Sequence, residues 1–380
     1  MRTTTLFSEK KITTVAIAYF LINTFLLFRF GIQQGGEAEK FIDNASRIIN
    51  GHSLFNGVFG YFYIVYTLLV ALAVKMSVNL IVVAVIQVCL SFFAALCLYK
   101  LLIKILSNNS IAFLFFIIYL LCYPIQKWNF FLYSESVHTS LLVIALYSFN
   151  NWMSDKKISS LATFIVLLLL VLFSRPVGIL FLLSLFVVVL TWLFGQKKML
   201  HFYVLTAIGV ASVILILNSP YTAFINPDSI RRMEIICQVP EVSTPVEYKE
   251  YNQEGLYKAF AVIKDEIGFG TFFTNGFKKL GCFLGMYRSY YSWQNNLLLI
   301  CFTVFYPFTL IGVFSAPGRS FFYARVFSIT YLLFTFIGIF FTCDEWSNRF
   351  ISPAFPFILI LAAIGVLQVL KRLNNKVVLN

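Results

Sequence analysis

Four places in this chain carry side chains suited to chemistry, and each stands at the edge of an apolar run. The first is the loop QQGGEAEKFIDNASRIINGHSLFNG. Gly35 and Gly36 close an apolar run, and from Glu37 the pattern turns helical. Phe41, Ala45, Ile48 and Ile49 share one face, Glu37, Lys40 and Asn44 another, and Gly51 stops the helix. Glu37 is either a first-turn acid favoured by the helix dipole or a base that takes a proton from a hydroxyl. The second place is KWNFFLYSESVHTSLLVIALY, where Glu135 opens an apolar run. An ionisable group there is a span-boundary acid, or it faces a polar cavity and marks a functional site. His138 follows at i+3 and can share its face. The third is Arg175 in FSRPVGILFLL. It snorkels to the membrane surface, or it meets a phosphate or a carboxylate. Pro176 suits the first turn of the next helix. The fourth is Arg349 in CDEWSNRFISPAFPFILILAAIG, beside Asp344 and Glu345. Its planar fork fits either a local ion pair or a phosphate. The histidines number three, widely spaced, and give no metal signature.

The elements that must hold these groups are membrane helices. Of the 380 residues, 60% are hydrophobic and only 12% are charged, and the mean hydropathy is +0.85. A soluble domain of this length needs far more polar surface. Eleven apolar segments recur, at 12–30, 59–76, 79–99, 110–124, 135–151, 158–174, 177–194, 200–217, 296–315, 321–342 and 351–370. Apolar runs of about 17–22 residues recur along the whole chain, each long enough to cross a hydrocarbon core of about 30 Å. The first follows Lys10 and Lys11 like a signal sequence, but no small-residue cleavage site follows it, so it reads as a retained anchor. Cys89, Cys97, Cys122 and Cys301 lie in apolar runs as small core residues. Cys237, Cys282 and Cys343 fall outside them, where a disulfide among the three is open.

Net charge is +13, which in a soluble protein would point to nucleic acid. Here the basic residues sit in short loops between spans, so membrane orientation accounts for them and nucleic acid is not a partner. With a cytoplasmic amino terminus and segment 59–76 not crossing, the inner side holds fourteen basic residues against Glu9 and Asp155. The outer side then holds fifteen basic and fourteen acidic residues. That is the positive-inside pattern. If 59–76 crosses, every later loop flips and the pattern is lost. The aromatics crowded at its start suit an interfacial helix. The expected fold class is an all-α polytopic membrane protein of about ten transmembrane helices plus one outer-face juxtamembrane helix. Residues 1–217 form a transmembrane module carrying the first outer loop and its helix (31–78). Residues 218–295 form a mixed outer insert, and 296–380 the last transmembrane helices. The insert's GFGTFFTNGFKKLGCFLGMYRSYYSW stretch is expected to include a helix lying on the membrane.

In these features the chain resembles the GT-C superfamily of membrane glycosyltransferases, in particular the aminoarabinose transferases and protein O-mannosyltransferases. The likeness covers nearly the whole chain in layout and short motifs in residues. An acid after the first span is followed eight residues later by Ala and six later by Gly, as Glu37, Ala45 and Gly51 are here. A second acid before an apolar run matches Glu135, an Arg-Pro turn matches Arg175–Pro176, and Arg-aromatic with two prolines matches Arg349, Phe350, Pro353 and Pro356. Gly36-Glu37 stands where an Asp-Glu pair is usual, which leaves Glu39 as a rival to Glu37, and Phe59-Gly60 replaces a Pro-Pro pair.

The resemblance implies a bacterial inner-membrane enzyme with a periplasmic site. Its donor would be a polyprenyl-phosphate-linked sugar, and its acceptor a glycan, lipid or protein hydroxyl. Arg175, Arg288 and Arg349 would hold the phosphate, and Glu37 would deprotonate the acceptor in a single inverting displacement. Glu135 would be the second acid, with Lys40, His138, Asp344 and Glu345 in support. Some relatives use a divalent metal ion, which two nearby acids would allow. The rival classes are a transporter or flippase of lipid-linked sugar, a surface-polysaccharide polymerase or ligase, and a silent assembly subunit. A transporter should show internal repeats and mid-span charges, neither of which is evident.

Overall fold

A computed structural model describes residues 2–52, 58–217, 255–289, 291–315, 322–342 and 348–377. Its regular elements there are all helical, with one isolated β-bridge. The α-helices are α1 (Arg2–Phe30), α2 (Glu37–Ile49), α3 (Ile64–Lys75), α4 (Ile81–Leu106), α5 (Asn109–Leu121), α6 (Tyr123–Gln126), α7 (Glu135–Asp155) and α8 (Ile158–Leu172). They continue as α9 (Gly178–Gly195), α10 (Met199–Leu217), α11 (Gly255–Val262), α12 (Phe269–Gly285), α13 (Trp293–Cys301), α14 (Phe305–Phe314), α15 (Phe322–Ile339) and α16 (Phe355–Val377). Six stretches are long and apolar enough to cross a membrane: Lys10–Phe30, Ile81–Leu106, Gly178–Gly195, Trp293–Phe314, Phe322–Ile339 and Phe355–Asn374. A seventh would be Asn109–Leu121 with Tyr123–Phe130, bent by 47°. This is a multi-pass α-helical membrane protein. Among the described residues fewer stretches are long and apolar enough than the ten expected, for two physical reasons. Helix α8 has only 15 residues, and α7 opens on Glu135, Ser136, His138, Thr139 and Ser140.

The chain forms two compact units. The first comprises Met1–Leu183, Cys301–Ser328 and Ser352–Asn380, the second Ser184–Ile300 and Ile329–Ile351. In the first unit the helix directions follow from contacts at two opposite ends. At one end Gln33, just past α1, pairs with the stretch before α7: its N–H donates to Phe130 O at 2.7 Å and its carbonyl accepts from Leu132 N at 3.0 Å. At the same end Gln87, six residues into α4, donates to the carbonyls of Trp128 (3.3 Å), Asn129 (3.0 Å) and Phe131 (3.0 Å). The end of α8 lies there too, since Val65 N donates to Phe173 O at 3.1 Å. At the opposite end Lys104 of α4 bonds Asn151 of α7, and Lys11 stands 6.0 Å from the Phe113 ring. Helix α1 therefore arrives where α4 departs, and α2 and α3 begin and finish at that one end. Helix α3 is only 12 residues, about 18 Å long. Its start is tied to α4 by the Tyr66 hydroxyl, which donates to Gln87 Oε1 at 2.9 Å.

The irregular stretch between α5 and α7 is satisfied by side chains, as backbone at membrane depth must be. Tyr19 and Asn129 both donate to Gln126 Oε1 at 2.8 Å, and Gln126 Nε2 donates to Tyr119 O at 3.0 Å. Ser136 on α7 donates to Asn129 Oδ1. Elsewhere in this unit α14 packs on α16 backbone to backbone. A Cβ on Gly312 would strike the Leu361 carbonyl, and one on Gly365 the Phe308 carbonyl. Thr309 Oγ1 donates to Ile358 O at 3.2 Å across the same seam. Small residues at such crossings let helices approach closely.

In the second unit α12 buries Phe272, Gly276, Lys279 and Phe283. The ring of Phe272 packs on Phe341 at 5.8 Å and that of Phe283 on Phe336 at 6.0 Å, while Lys279 Nζ donates to Thr342 O. A second stripe on α12, Phe269, Phe273 and Phe277, is exposed. Cys282 is a free thiol, and Cys237 and Cys343 lie outside the described residues.

Candidate functional site

The pairing of Gln33 with residues 130–132 brings the first loop and the loop before α7 side by side. Tyr133 completes the join: its hydroxyl donates to Gly35 O at 3.0 Å. Gly36 has φ +67°, a left-handed conformation that favours glycine, and a Cβ there would lie 2.8 Å from the Tyr133 hydroxyl. That glycine directs the chain into α2, whose first turn carries Glu37 and Glu39. The helix forms as the sequence suggests, with Ala38, Phe41 and Ala45 fully buried. Phe41 packs on Tyr63 and Tyr66, with ring centroids 5.6 and 4.8 Å away, and Lys40 stands 4.5 Å from the Tyr63 ring. The stripe seats α2 on α3 and leaves Glu37 half-buried and Glu39 exposed.

Two residues past Tyr133, Glu135 opens α7. Its Oε1 lies 2.9 Å from Arg175 Nη1, and the side chains are 0% and 5% exposed. Arg175 comes from the turn joining α8 to α9. The Arg175 carbonyl accepts from Gly178 N at 2.9 Å and the Pro176 carbonyl from Ile179 N at 3.2 Å, so Pro176 and Val177 form the turn that opens α9. On the same face of α7, His138 Nδ1 lies 2.7 Å from Ser174 Oγ, the residue before Arg175. Glu135 and His138, one turn apart, thus engage two successive residues of one turn. A guanidinium this buried needs an anionic partner, and either charge alone would be strongly disfavoured. The same guanidinium is a ready cradle for a phosphate that displaces or joins the carboxylate.

The other predicted residues fall elsewhere. Arg288, in the second unit, donates to Cys282 O and Tyr287 O at 2.7 Å each, capping the carbonyl end of α12. Its backbone is fixed by Asn296, which accepts from Arg288 N at 2.9 Å and donates to Arg288 O at 2.8 Å. Arg349, also in the second unit, is 6% exposed and follows Asn348, which has φ +57° and donates to Met286 O at 3.2 Å. Asp344 and Glu345 lie outside the described residues. Among the described residues no three His, Cys, Asp or Glu side chains are grouped to hold a metal ion.

Sequence reasoning did not single out Gln87, Gln126, Asn129, Tyr133 or Ser174. Gln87 had a readable signal, an amide inside a long apolar run, where a polar side chain has to find partners. No family model, curated protein or solved structure matches this chain.

Proposed function

We propose that this protein is an inverting glycosyltransferase that moves a sugar from a polyprenyl-phosphate carrier to an acceptor hydroxyl at the end of the first unit where α2 and α7 begin. The observation that carries the reading is the join of the two acid-bearing loops beside a buried arginine. Gln33 on Phe130–Leu132 and Tyr133 on Gly35 hold the Glu37 turn against the Glu135 turn, and Glu135 meets Arg175. Glu37, half-buried beside this join, is the base, in preference to the exposed Glu39. The acceptor oxygen attacks the anomeric carbon as its proton passes to Glu37. The bond from that carbon to the phosphate oxygen breaks with its electrons on the phosphate, whose growing charge Arg175 stabilises. Arg288, in the second unit, already serves backbone carbonyls.

The end opposite this join carries Lys10, Lys11, Lys100, Lys104, Lys156 and Lys157 with Asp155, which suits the cytoplasmic face. The join then faces outward, in the plasma membrane, and α3 stays on the outer face. The remaining short apolar helices bring the spans to about ten. Reporter fusions after residue 77 and residue 105 are expected to read opposite sides, outside and inside. Residue 105 reading outside would remove Glu37 and Glu135 from a common face.

The activity test uses the purified full chain with polyprenyl-phosphate sugars and membrane acceptors. Glu37→Gln should lower transfer by at least about 100-fold, the scale of a lost general base, with Glu39→Gln near wild type. Transfer unchanged by Glu37→Gln would overturn the base assignment.

A further inference from the structure

The hydrogen-bond chain at the head of α7 fixes a protonation state. The Ser174 hydroxyl donates its one proton to Val171 O at 2.8 Å. The same oxygen lies 2.7 Å from His138 Nδ1. With its proton committed, Ser174 Oγ only accepts, so Nδ1 carries the ring proton and Nε2 presents a lone pair. His138 is 0% exposed, and Nε2 has no hydrogen-bond partner among the described residues. One residue along from Ser174, Arg175 Nε–H is equally buried and has no acceptor among the described residues. Buried polar atoms in native proteins are nearly always satisfied. The contact between the head of α7 and the Ser174–Arg175 turn thus holds one buried acceptor and one buried donor without a hydrogen-bond partner among the described residues.

A hydroxyl suits the acceptor, since it can donate to the Nε2 lone pair. An anion would face the Nε2 lone pair with repulsion, and an alkyl group would satisfy neither atom. We propose that His138 Nε2 accepts a hydrogen bond from a hydroxyl of the transferred sugar, so that the head of α7 selects the sugar. This rests on the glycosyl-transfer reading and makes His138 a specificity residue, separate from the base Glu37.

Two readouts test it on the full chain in detergent micelles. The first is 15N NMR of histidine-labelled protein, in which His138→Asn assigns the His138 signals among three histidines. It should show Nδ1 protonated and Nε2 bare at neutral pH, and a protonated Nε2 would overturn the proposal. The second is transfer from polyprenyl-phosphate hexoses and their single-deoxy counterparts. Wild type should lose about tenfold or more in kcat/KM for one deoxy position, because the site's buried groups go unpaired without that hydroxyl. His138→Asn keeps the donor to Ser174 and removes the acceptor, so that discrimination should collapse. His138→Gln places an amide oxygen near the Nε2 position and should restore part of it. Discrimination unchanged in His138→Asn would overturn the hydroxyl contact and leave glycosyl transfer standing. Turnover of no donor by wild type, with the bare Nε2 observed, would overturn the glycosyl reading and with it this ligand.

Discussion

Arg175→Met should destabilise the protein by about 3–5 kcal/mol in detergent unfolding, because it strips a fully buried carboxylate of its guanidinium. The double variant Glu135→Gln/Arg175→Met should recover most of that loss, since a neutral pair is far cheaper to bury than one unpaired charge. Transfer should be abolished in both, because the second variant restores packing but not the cation that stabilises the leaving phosphate. This split separates a structural ion pair from a functional one. Equal stability of single and double variants would mean that Glu135 does not depend on Arg175. Full activity in the double variant would mean that the cation serves the fold alone.

Gly312→Leu and Gly365→Leu should each cost at or above the upper end of the about 1–3 kcal/mol typical of overpacking. The atoms that a Cβ would strike are the Leu361 and Phe308 carbonyls, which are backbone and cannot rotate away. The loss should appear as a large drop in folded protein recovered from membranes and in its melting temperature. Gly338→Ala is the control. A Cβ there meets nothing within 4 Å, so its stability should stay within about 0.5 kcal/mol of wild type. Near-normal stability of Gly365→Leu would show that α14 and α16 do not approach as closely as described.

Much of the site's local structure was legible from periodicity and punctuation. The helix expected from Glu37 does start there, because Gly36 supplies the left-handed turn and the spacing of Phe41 and Ala45 supplies a buried stripe. Glu135 and His138 share a face, as their i+3 spacing requires, and the Arg175–Pro176 pair does sit in the turn that opens a helix. The tertiary partners were not legible. A bridge of one residue on each side, Gln33 with Phe131, is too short to leave an alternating pattern. Glu135 meets an arginine 40 residues away, and no local rule selects Arg175 over Arg349. Arg288 illustrates the converse. Its charge and aromatic surroundings suit a phosphate, but its position just past α12 commits it to the carbonyls of that helix end. The span count was the least legible quantity, because an apolar run reports composition, whereas the length of unbroken helix decides whether it can cross. Segment 59–76, expected to stay out of the crossing, has residues 59–63 in a 3-10 turn (Val58–Tyr63) and only 12 residues in an α-helix.

The most direct measurement is made on the full chain in liposomes loaded with a polyprenyl-phosphate sugar and supplied with acceptor. Free polyprenyl phosphate and glycosylated acceptor are followed together, with the anomeric configuration of the product read by NMR. Glycosyl transfer predicts the two products in equal amounts, with the configuration at the anomeric carbon inverted. Movement of the lipid-linked sugar to the other leaflet with its phosphate bond intact would contradict it and identify a transporter.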